Sequence, residues 1–588
     1  MNTTDSITHR ITKAAIAVAM VVAVMMCVGL YTVVMLKVSP PAALLEVSTP
    51  LSSTSRQLAK RGSVLDRRGR ILATSRLGYT LFVDPFLIQN SEEVALNSEE
   101  VALVALLIGD AVGISPASIE EKIRLHPRSR YVVLEHLLNS KQVDAVRKLH
   151  LRCIGLQERL VREYPHGDVG GAIVGFVGFE HSGLAGFENK FNDQLTGESG
   201  ILISQRDSKQ RTLWVSPHQF LPTNHGKDVQ LSIDVVIQDI ATTRLMQEIL
   251  RCNAGGGQIV VANPQTGEVL ALADILNPRE GRSQQPSDPN RKLNTRLGRN
   301  RCVTDPYEPG STFKPFVWAA ATELGLVTLD EVLPTPSSHA HRTSYNRPIR
   351  DVRYYGPSTW RNVLVKSMNS GMAIVAERFS YAQLQHAIHR FGFGEPTRIG
   401  LGGETSGIIT SSSNWNDYTQ TSVSMGHEIA VTPLQMVQAF CAFARDGTIP
   451  QLRLTLADET EVLIVRKAIT PEIATLTRQI LGQVMTEGTG RRAQSDMYSL
   501  FGKSGTAQLP RSDGTGYFED RYISSFIAGA PMDSPKLVVL CVIDDPDKSI
   551  DHYGGIVAGP VVRDVIDATL MYLGVPPSAE YLAQASSE

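Results

Sequence analysis

The longest apolar stretch in the chain runs from Ala14 to Leu36, 23 residues without a formal charge. At about 1.5 Å per residue, a helix of this length crosses a hydrocarbon core of about 30 Å. Arg10 and Lys13 precede it and Lys37 follows. The short leading segment favours an N-terminus on the cytoplasmic side, with the long remainder outside. A cleaved signal peptide is the competing reading. The run is longer than an ordinary h-region, however, and no clear A-x-A site follows it. The expectation is an uncleaved single-pass anchor at 14–36 behind a cytoplasmic tail at 1–13.

Beyond the anchor the pattern breaks into short periodic segments. Arg61-Gly62-Ser63-Val64-Leu65-Asp66-Arg67-Arg68-Gly69-Arg70-Ile71-Leu72 places apolar pairs on either side of a charged turn. That predicts a small hairpin. Its basic residues suit anionic headgroups or, the favoured use, salt bridges to Asp66 and other carboxylates. Ser91–Leu96 and Ser98–Leu103 are tandem copies with a period of seven, which predicts one helix with both apolar patches on nearly the same face. Residues 162–200 are rich in glycine and read as turns and short strands, then a helix near Glu188 to Leu195. They contain no G-x-G-x-x-G phosphate cradle. Gly502-Lys503-Ser504 echoes the end of a P-loop, but Met497 stands where its first glycine belongs.

A new segment begins near Asp228. Val229 to Ile233 alternates as a strand, and the periodicity after Asp234 predicts a helix through Leu250. Gln258–Ala262 and Glu268–Ala273 flank Asn263-Pro264-Gln265-Thr266-Gly267, a strand–turn–strand signal. Lys536 to Ile543 reads as a buried strand and Val557 to Leu573 as a terminal helix. Together these predict an α+β domain over 228–575, whose sheet is built from both ends and packed by helices. Residues 37–227 form a separate mixed module, and 576–588 a polar tail.

Bulk properties narrow the function. The chain has 57 Lys+Arg against 59 Asp+Glu, a net charge of −2, which argues against nucleic-acid binding driven by charge. None of the six cysteines forms a C-x-x-C pair. They read as buried small apolar residues, with a Cys252–Cys302 disulfide left open. There is no H-E-x-x-H, and the histidines make no metal case, so neither a metal nor an organic cofactor is expected.

Three short strings carry the chemistry: Ser311-Thr312-Phe313-Lys314, Ser367-Met368-Asn369 and Lys503-Ser504-Gly505-Thr506. An S-x-x-K string alone is weak, since roughly two arise by chance in a chain of this length. Here Pro309-Gly310 and a following helical pattern put Ser311 at a helix start, with Lys314 on the same face. A serine hydroxyl needs a base, and Lys314 serves only when neutral. Burial and a nearby cation, Lys503, would depress its pKa. Ser367 suits a proton relay, and Asn369 suits holding Lys314 and a substrate amide. Lys503–Thr506 reads as an edge strand whose Gly505 lets a substrate backbone approach. Lys503, Ser504 and Thr506 suit a terminal carboxylate, and the N–H groups of Ser311 and Thr506 suit an oxyanion hole. The bland alternatives are a capping serine, an ordinary helix cap and a solvated lysine in a turn.

With these residues in view, the chain resembles a class B penicillin-binding protein, a peptidoglycan D,D-transpeptidase, from the anchor to about residue 575. Arg61-Gly62, Asp66-Arg67 and Gly69 resemble the N-terminal motif of that class; Arg162, Tyr164-Pro165, Gly167, Gly186 and Glu188 resemble its later non-catalytic motifs. Glu308 to Pro315, Val431-Thr432-Pro433-Leu434-Gln435, His552-Tyr553-Gly554-Gly555 and Ala558-Gly559-Pro560 are most similar to the division, penicillin-binding protein 3 type. The resemblance implies a transmembrane helix, a pedestal (dimerisation-like) domain at 37–227, and a transpeptidase domain at 228–575 with a central antiparallel sheet and an all-helical subdomain. It implies a donor ending in D-Ala-D-Ala, an acyl-Ser311 intermediate, inhibition by β-lactams, and a multipass lipid-II glycosyltransferase and other divisome proteins as partners. It places the catalytic domain outside the cytoplasmic membrane. The sequence departs from the family at Glu428, where many members have glycine, and at Arg398-Ile399, in a region usually reading Thr-Gly. The rival readings are a D,D-carboxypeptidase or β-lactam hydrolase, an elongation-type transpeptidase, and a membrane-anchored β-lactam sensor or inactive divisome scaffold.

Overall fold

The computed structural model describes residues 4–39, 41, 51–88, 97–167, 173–206, 212–279, 300–456, 463–511 and 516–578. The first copy of the tandem repeat, 91–96, and most of the polar tail lie outside the described residues. The chain divides into two compact units, 1–59 with 198–224 and 60–197 with 225–588.

The first unit holds a helix over Thr4–Val38 that is long and apolar enough to cross a membrane. It also holds a three-stranded antiparallel sheet of Leu51–Gln57, Gly200–Arg206 and Thr212–Leu221, with Gly200–Arg206 central.

The second unit begins with the expected hairpin. Val64–Leu65 pairs antiparallel with the long strand Ile71–Val83, and Val64 also pairs in parallel with Val229. The long strand is flanked by Val132–Leu138 and Ile154–Glu163. Helices Ser98–Val112, Pro116–Leu125 and Ser140–Lys148 share an apolar core with this sheet, including Leu81, Val104, Ile108, Ile123 and Val143. The second repeat copy therefore lies in a helix, where Val101 is buried and Leu103 exposed.

The basic cluster of the hairpin is used for ion pairs. Arg70 bridges Asp66 (2.5 Å) and Asp234 (2.6 Å), and Arg67 meets Glu268 at 3.1 Å. Asp66 also accepts from Val235 N at 3.2 Å. A second network lies deeper. Arg61 and Arg162 both bind Glu188, at 2.6 and 2.7 Å, and all three side chains are buried. Arg61 further donates to Glu188 O, Asn192 Oδ1 and Thr196 Oγ1. A Cβ on Gly62 would lie 2.1 Å from Lys227 O, so the adjoining backbone passes too close for any side chain.

The catalytic half is a helix–sheet–helix sandwich. Its elements are α1 (Val235–Arg251), β1 (Gly256–Ala262), β2 (Val269–Leu276), α2 (Lys314–Glu323), α3 (Asn369–Ala376), α4 (Pro433–Ala444), α5 (Pro471–Thr486), β3 (Phe501–Pro510), β4 (Tyr517–Ala530), β5 (Leu537–Asp544) and α6 (Gly559–Tyr572). The sheet order is β2-β1-β5-β4-β3, antiparallel throughout, so both ends of the domain build it and β3 is an edge. Asp234 caps α1 by accepting from Val236 N. Successive side chains of a strand face opposite sides. Ile259, Val261, Val539 and Cys541 accordingly pack on the face of α1 and α6; Val260, Ala262, Val538 and Leu540 pack on the face of α4. Burial on both faces explains why 536–543 reads as an unbroken apolar run rather than an alternating one. The α+β expectation is met. All five described buried cysteines are free thiols, and burial pushes Cys252 up to about 12 and Cys302 well above its ordinary value.

Candidate active site

Ser311 lies in a short 3-10 turn, Gly310–Thr312, directly before α2. The turn is fixed from three sides. Thr312 Oγ1 donates to Pro309 O at 2.7 Å, and Gly310 N donates to Gly426 O at 3.0 Å. The third side is β3, where a Cβ on Gly505 would lie 2.7 Å from Pro309 O. Gly505 is thus required by the packing of β3 on the nucleophile turn, an internal reason beside the expected one of substrate approach.

Lys314 opens α2 and is fully buried. Its Nζ donates to Ser367 O at 2.7 Å and to Asn369 Oδ1 at 2.5 Å, with Ser367 Oγ at 3.5 Å. Ser367 adopts a left-handed backbone, φ +58°. This turns the loop so that its carbonyl and its hydroxyl both face the lysines. Asn369 starts α3, and its Nδ2 donates to Arg350 O at 2.9 Å. Lys503 reaches across from β3, also fully buried, and donates to Ser367 Oγ at 2.8 Å and to Ser504 O at 2.9 Å. Ser367 is therefore the shared partner of both cations. On the other face of β3, Ser504 Oγ donates to Thr489 Oγ1 at 2.8 Å, and Thr506 Oγ1 accepts from Gly554 N at 3.0 Å. The three strings, spread over residues 311 to 506, converge on one cleft.

Burial pushes the Lys314 ammonium down to about 7, against a weaker upward pull from Asp351. Burial, then the charge of Lys314, holds Lys503 well below the ordinary lysine value. The expected burial is thus the main cause at Lys314, and the two buried ammonium groups also repel each other. Desolvation dominates because both groups are removed from water while the carboxylate beside them, Asp351, is committed elsewhere.

Sequence reasoning missed Asp351. It accepts from Asn369 N, from Ser370 N at 3.0 Å and from Ser370 Oγ. A carboxylate at the start of α3 satisfies its free N–H groups and fixes the Ser-x-Asn loop. Nothing in the spacing of Arg350-Asp351-Val352 announced this, since the partner lies 18 residues on. Glu308 acts similarly at the rim. It accepts from Tyr517 Oη (3.0 Å), Glu428 N (3.0 Å) and His427 Nδ1 (3.1 Å). The two departures noted in the sequence, Arg398 and Glu428, both have left-handed backbones, φ +58° and +57°.

Residues 257–567 match the penicillin binding protein transpeptidase domain, and residues 56–231 match the penicillin-binding protein dimerisation domain. The chain belongs to the penicillin-binding protein transpeptidase family. This penicillin-binding protein is 31% identical over 523 residues to the probable peptidoglycan D,D-transpeptidase PbpC of Pseudomonas aeruginosa, covering 88% of this chain and 87% of the relative. It is 29% identical over 525 residues to the peptidoglycan D,D-transpeptidase FtsI of Escherichia coli K12, covering 88% and 84%. Penicillin Binding Protein 2X from Streptococcus thermophilus shares the fold, with a TM-score of 0.69 at 20% identity over 89% of this chain and 81% of that one. The expectation of an enzyme is met.

Proposed function

We propose that this penicillin-binding protein cross-links peptidoglycan stem peptides as a serine D,D-transpeptidase, in septal wall synthesis. The observation that carries the mechanism is Ser367 Oγ, 2.8 Å from Lys503 Nζ and 3.5 Å from Lys314 Nζ. A hydroxyl both donates and accepts, so it passes a proton between a base and a leaving group.

Neutral Lys314 takes the proton of Ser311 as Oγ attacks the penultimate D-Ala carbonyl. The developing oxyanion is held by Ser311 N–H and Thr506 N–H. The peptide C–N bond breaks, and the departing D-Ala amine receives the proton from Lys314 through Ser367 Oγ. An acceptor amine then attacks the ester, returning a proton along the same route as Ser311 Oγ leaves. Asn369 holds Lys314, and Ser504 and Thr506 face the donor carboxylate. The reaction needs no group beyond these side chains.

The septal role is supported by the FtsI-type relative and the division-type strings around Ser311 and His552. The N-terminal helix supports a single-pass anchor in the cytoplasmic membrane, with the catalytic domain outside and a multipass lipid-II polymerase as partner. Fluorescent penicillin labels the protein covalently, and Ser311→Ala abolishes labelling; unchanged labelling would sink the nucleophile assignment. Nascent glycan from lipid II becomes cross-linked when a partner polymerase is present. D-Ala release without cross-links would turn the reading to a carboxypeptidase.

A further inference from the structure

We propose that His427, oriented by Glu308, is the base that takes a proton from the acceptor amine before that amine attacks the acyl-Ser311 ester. The proposal rests on the transpeptidase reading above. It adds a step on the acceptor side that the relay of Lys314 and Ser367 does not supply.

Proton counting shows the need. An aliphatic amine in neutral water is an ammonium ion, with no lone pair to give. It must lose one proton to become a nucleophile and a second as the amide forms. Ser311 Oγ takes back only one of these, through Ser367 and Lys314. The other needs a separate base with access to water.

The rim of the cleft holds such a group. His427 Nδ1 lies 3.1 Å from Glu308 Oε2. An ionised carboxylate only accepts, so Nδ1 carries the proton and the neutral ring keeps its lone pair on Nε2. Nε2 has no hydrogen-bond partner among the described residues, and the side chain is 35% exposed, which lets a captured proton pass on to water. A base aimed by a carboxylate is the arrangement that activates a nucleophile elsewhere. Glu308 is itself held by Tyr517 Oη and Glu428 N, each at 3.0 Å. Burial, then the charge of Glu308, pushes the Tyr517 phenol up, so it stays protonated and keeps donating. The Tyr517 ring meets the imidazole edge-on, with centroids 6.2 Å apart. The other charged groups near the ring, among the described residues, are Glu428, exposed beside it, and Arg347, whose charge reaches Tyr517. Two carboxylates against one guanidinium draw an ammonium group in and favour the imidazolium that forms.

The dyad is fastened to the nucleophile. Glu308 stands three residues before Ser311. Gly310 N donates to Gly426 O at 3.0 Å, and a Cβ on Gly426 would lie 2.0 Å from Gly310 O. The segment carrying His427 therefore lies directly on the turn carrying Ser311. Tyr517 pairs with Pro510, which sets the dyad toward the Pro510 end of β3, away from Lys503. In the step, Nε2 takes a proton from the ammonium group, and the freed lone pair forms the C–N bond as the Ser311 ester C–O bond breaks. The second N–H proton goes through Ser367 and Lys314 to Ser311 Oγ, and the imidazolium gives its proton to solvent. Glu308 acts through His427, as a positioning residue.

The test forms the acyl-enzyme of the full-length protein with a benzoyl-D-alanyl thioester and offers it two acceptors, D-alanine and hydroxylamine. D-Alanine is an ammonium ion at about pH 7.5, whereas hydroxylamine is already neutral there and needs no base. The ratio of transfer to D-alanine over hydroxylamine is expected to fall about 10²-fold in His427→Gln and in His427→Phe, which keeps a ring against Tyr517. Glu308→Gln is expected to fall between these and wild type. From about pH 7.5 to 9 the variants gain on wild type by up to about tenfold per pH unit, because neutral D-alanine becomes available from solution. Both acceptors consume one acyl-enzyme, so slower acylation or partial misfolding cancels from the ratio. A wild-type ratio in either His427 variant, or a deficit that does not shrink with pH, overturns the proposal. If wild-type protein is not acylated at Ser311, or neither amine attacks its ester, the transpeptidase reading fails first, which separates the two failures.

Discussion

Two of the buried charge clusters among the described residues are handled in opposite ways. Glu188 in the pedestal is wedged between Arg61 and Arg162, at 2.6 and 2.7 Å. Lys314 and Lys503 in the cleft are equally buried, yet their hydrogen bonds go to a serine, an asparagine and main-chain carbonyls. In the first cluster, opposite charge and a full set of hydrogen bonds offset the loss of water. In the second, the loss of water is left to act on the ammonium groups, and one of them becomes a base near neutrality. Charge that is buried and paired builds a joint; charge that is buried with its like builds reactivity.

Replacing the centre of each cluster by an apolar residue separates them most sharply. Lys314→Met removes the base and is expected to slow acylation by fluorescent penicillin about 10²- to 10⁴-fold. It also removes a desolvated cation, so the melting temperature holds or rises. A variant that unfolds instead would show that Lys314 is paired structurally, like Glu188. The converse change, Glu188→Met, leaves two buried guanidinium groups without a counter-charge. It is expected to cost about 3–5 kcal/mol of stability. Chemical denaturation of the detergent-solubilised protein reads this directly, and a wild-type midpoint would break the comparison.

The difference also has a pH signature. Lys314 binds a proton in the unfolded chain up to its ordinary value of 10.5, but in the folded chain only up to about 7. Between those limits the unfolded state carries more protons, so this group makes stability rise with pH across the window and adds no slope below it. Activity shares the lower limit. The acylation rate is expected to climb about tenfold per pH unit below about 7 and to level off above it. A rate profile flat from pH 5 to 8 would remove Lys314 as the base.

The two clusters were unequally legible in the sequence. The reactive one was announced by three strings whose order and spacing have a chemical reading. Burial of Lys314 followed from its place at the start of an apolar helix, because residues 316–321 are nearly all small or hydrophobic. Burial as the main source of its pKa shift followed with it; the upward pull of Asp351 did not, because pairwise spacing does not show that carboxylate beside the lysine. The joint was visible as resemblance only. Arg61, Arg162 and Glu188 lie 101 and 26 residues apart, intervals over which no local rule predicts contact. Asp351 escaped for the same reason: it acts on a motif through tertiary contact and sits at no fixed offset from it. The sheet order was recoverable because both ends of the domain carry strong strand signals.

The smallest effect tests whether the rim of the cleft belongs with the joint or with the reactive pair. Glu428 holds φ +57°, a region that costs a residue with a side chain roughly 1–2 kcal/mol. Its main-chain N–H, not its carboxylate, makes the bond to Glu308. Glu428→Gly therefore keeps that bond and removes the strain. The expected result is a gain of about 0.5–1 kcal/mol in unfolding free energy, after glycine's own entropy cost is subtracted, with acylation unchanged. If the rate falls while stability rises, the strained backbone serves the reaction, as left-handed Ser367 does beside the lysines, and the rim belongs with the reactive pair. If both hold or rise, Glu308 and its three donors are a second joint, one that fastens the nucleophile turn to the walls of its cleft.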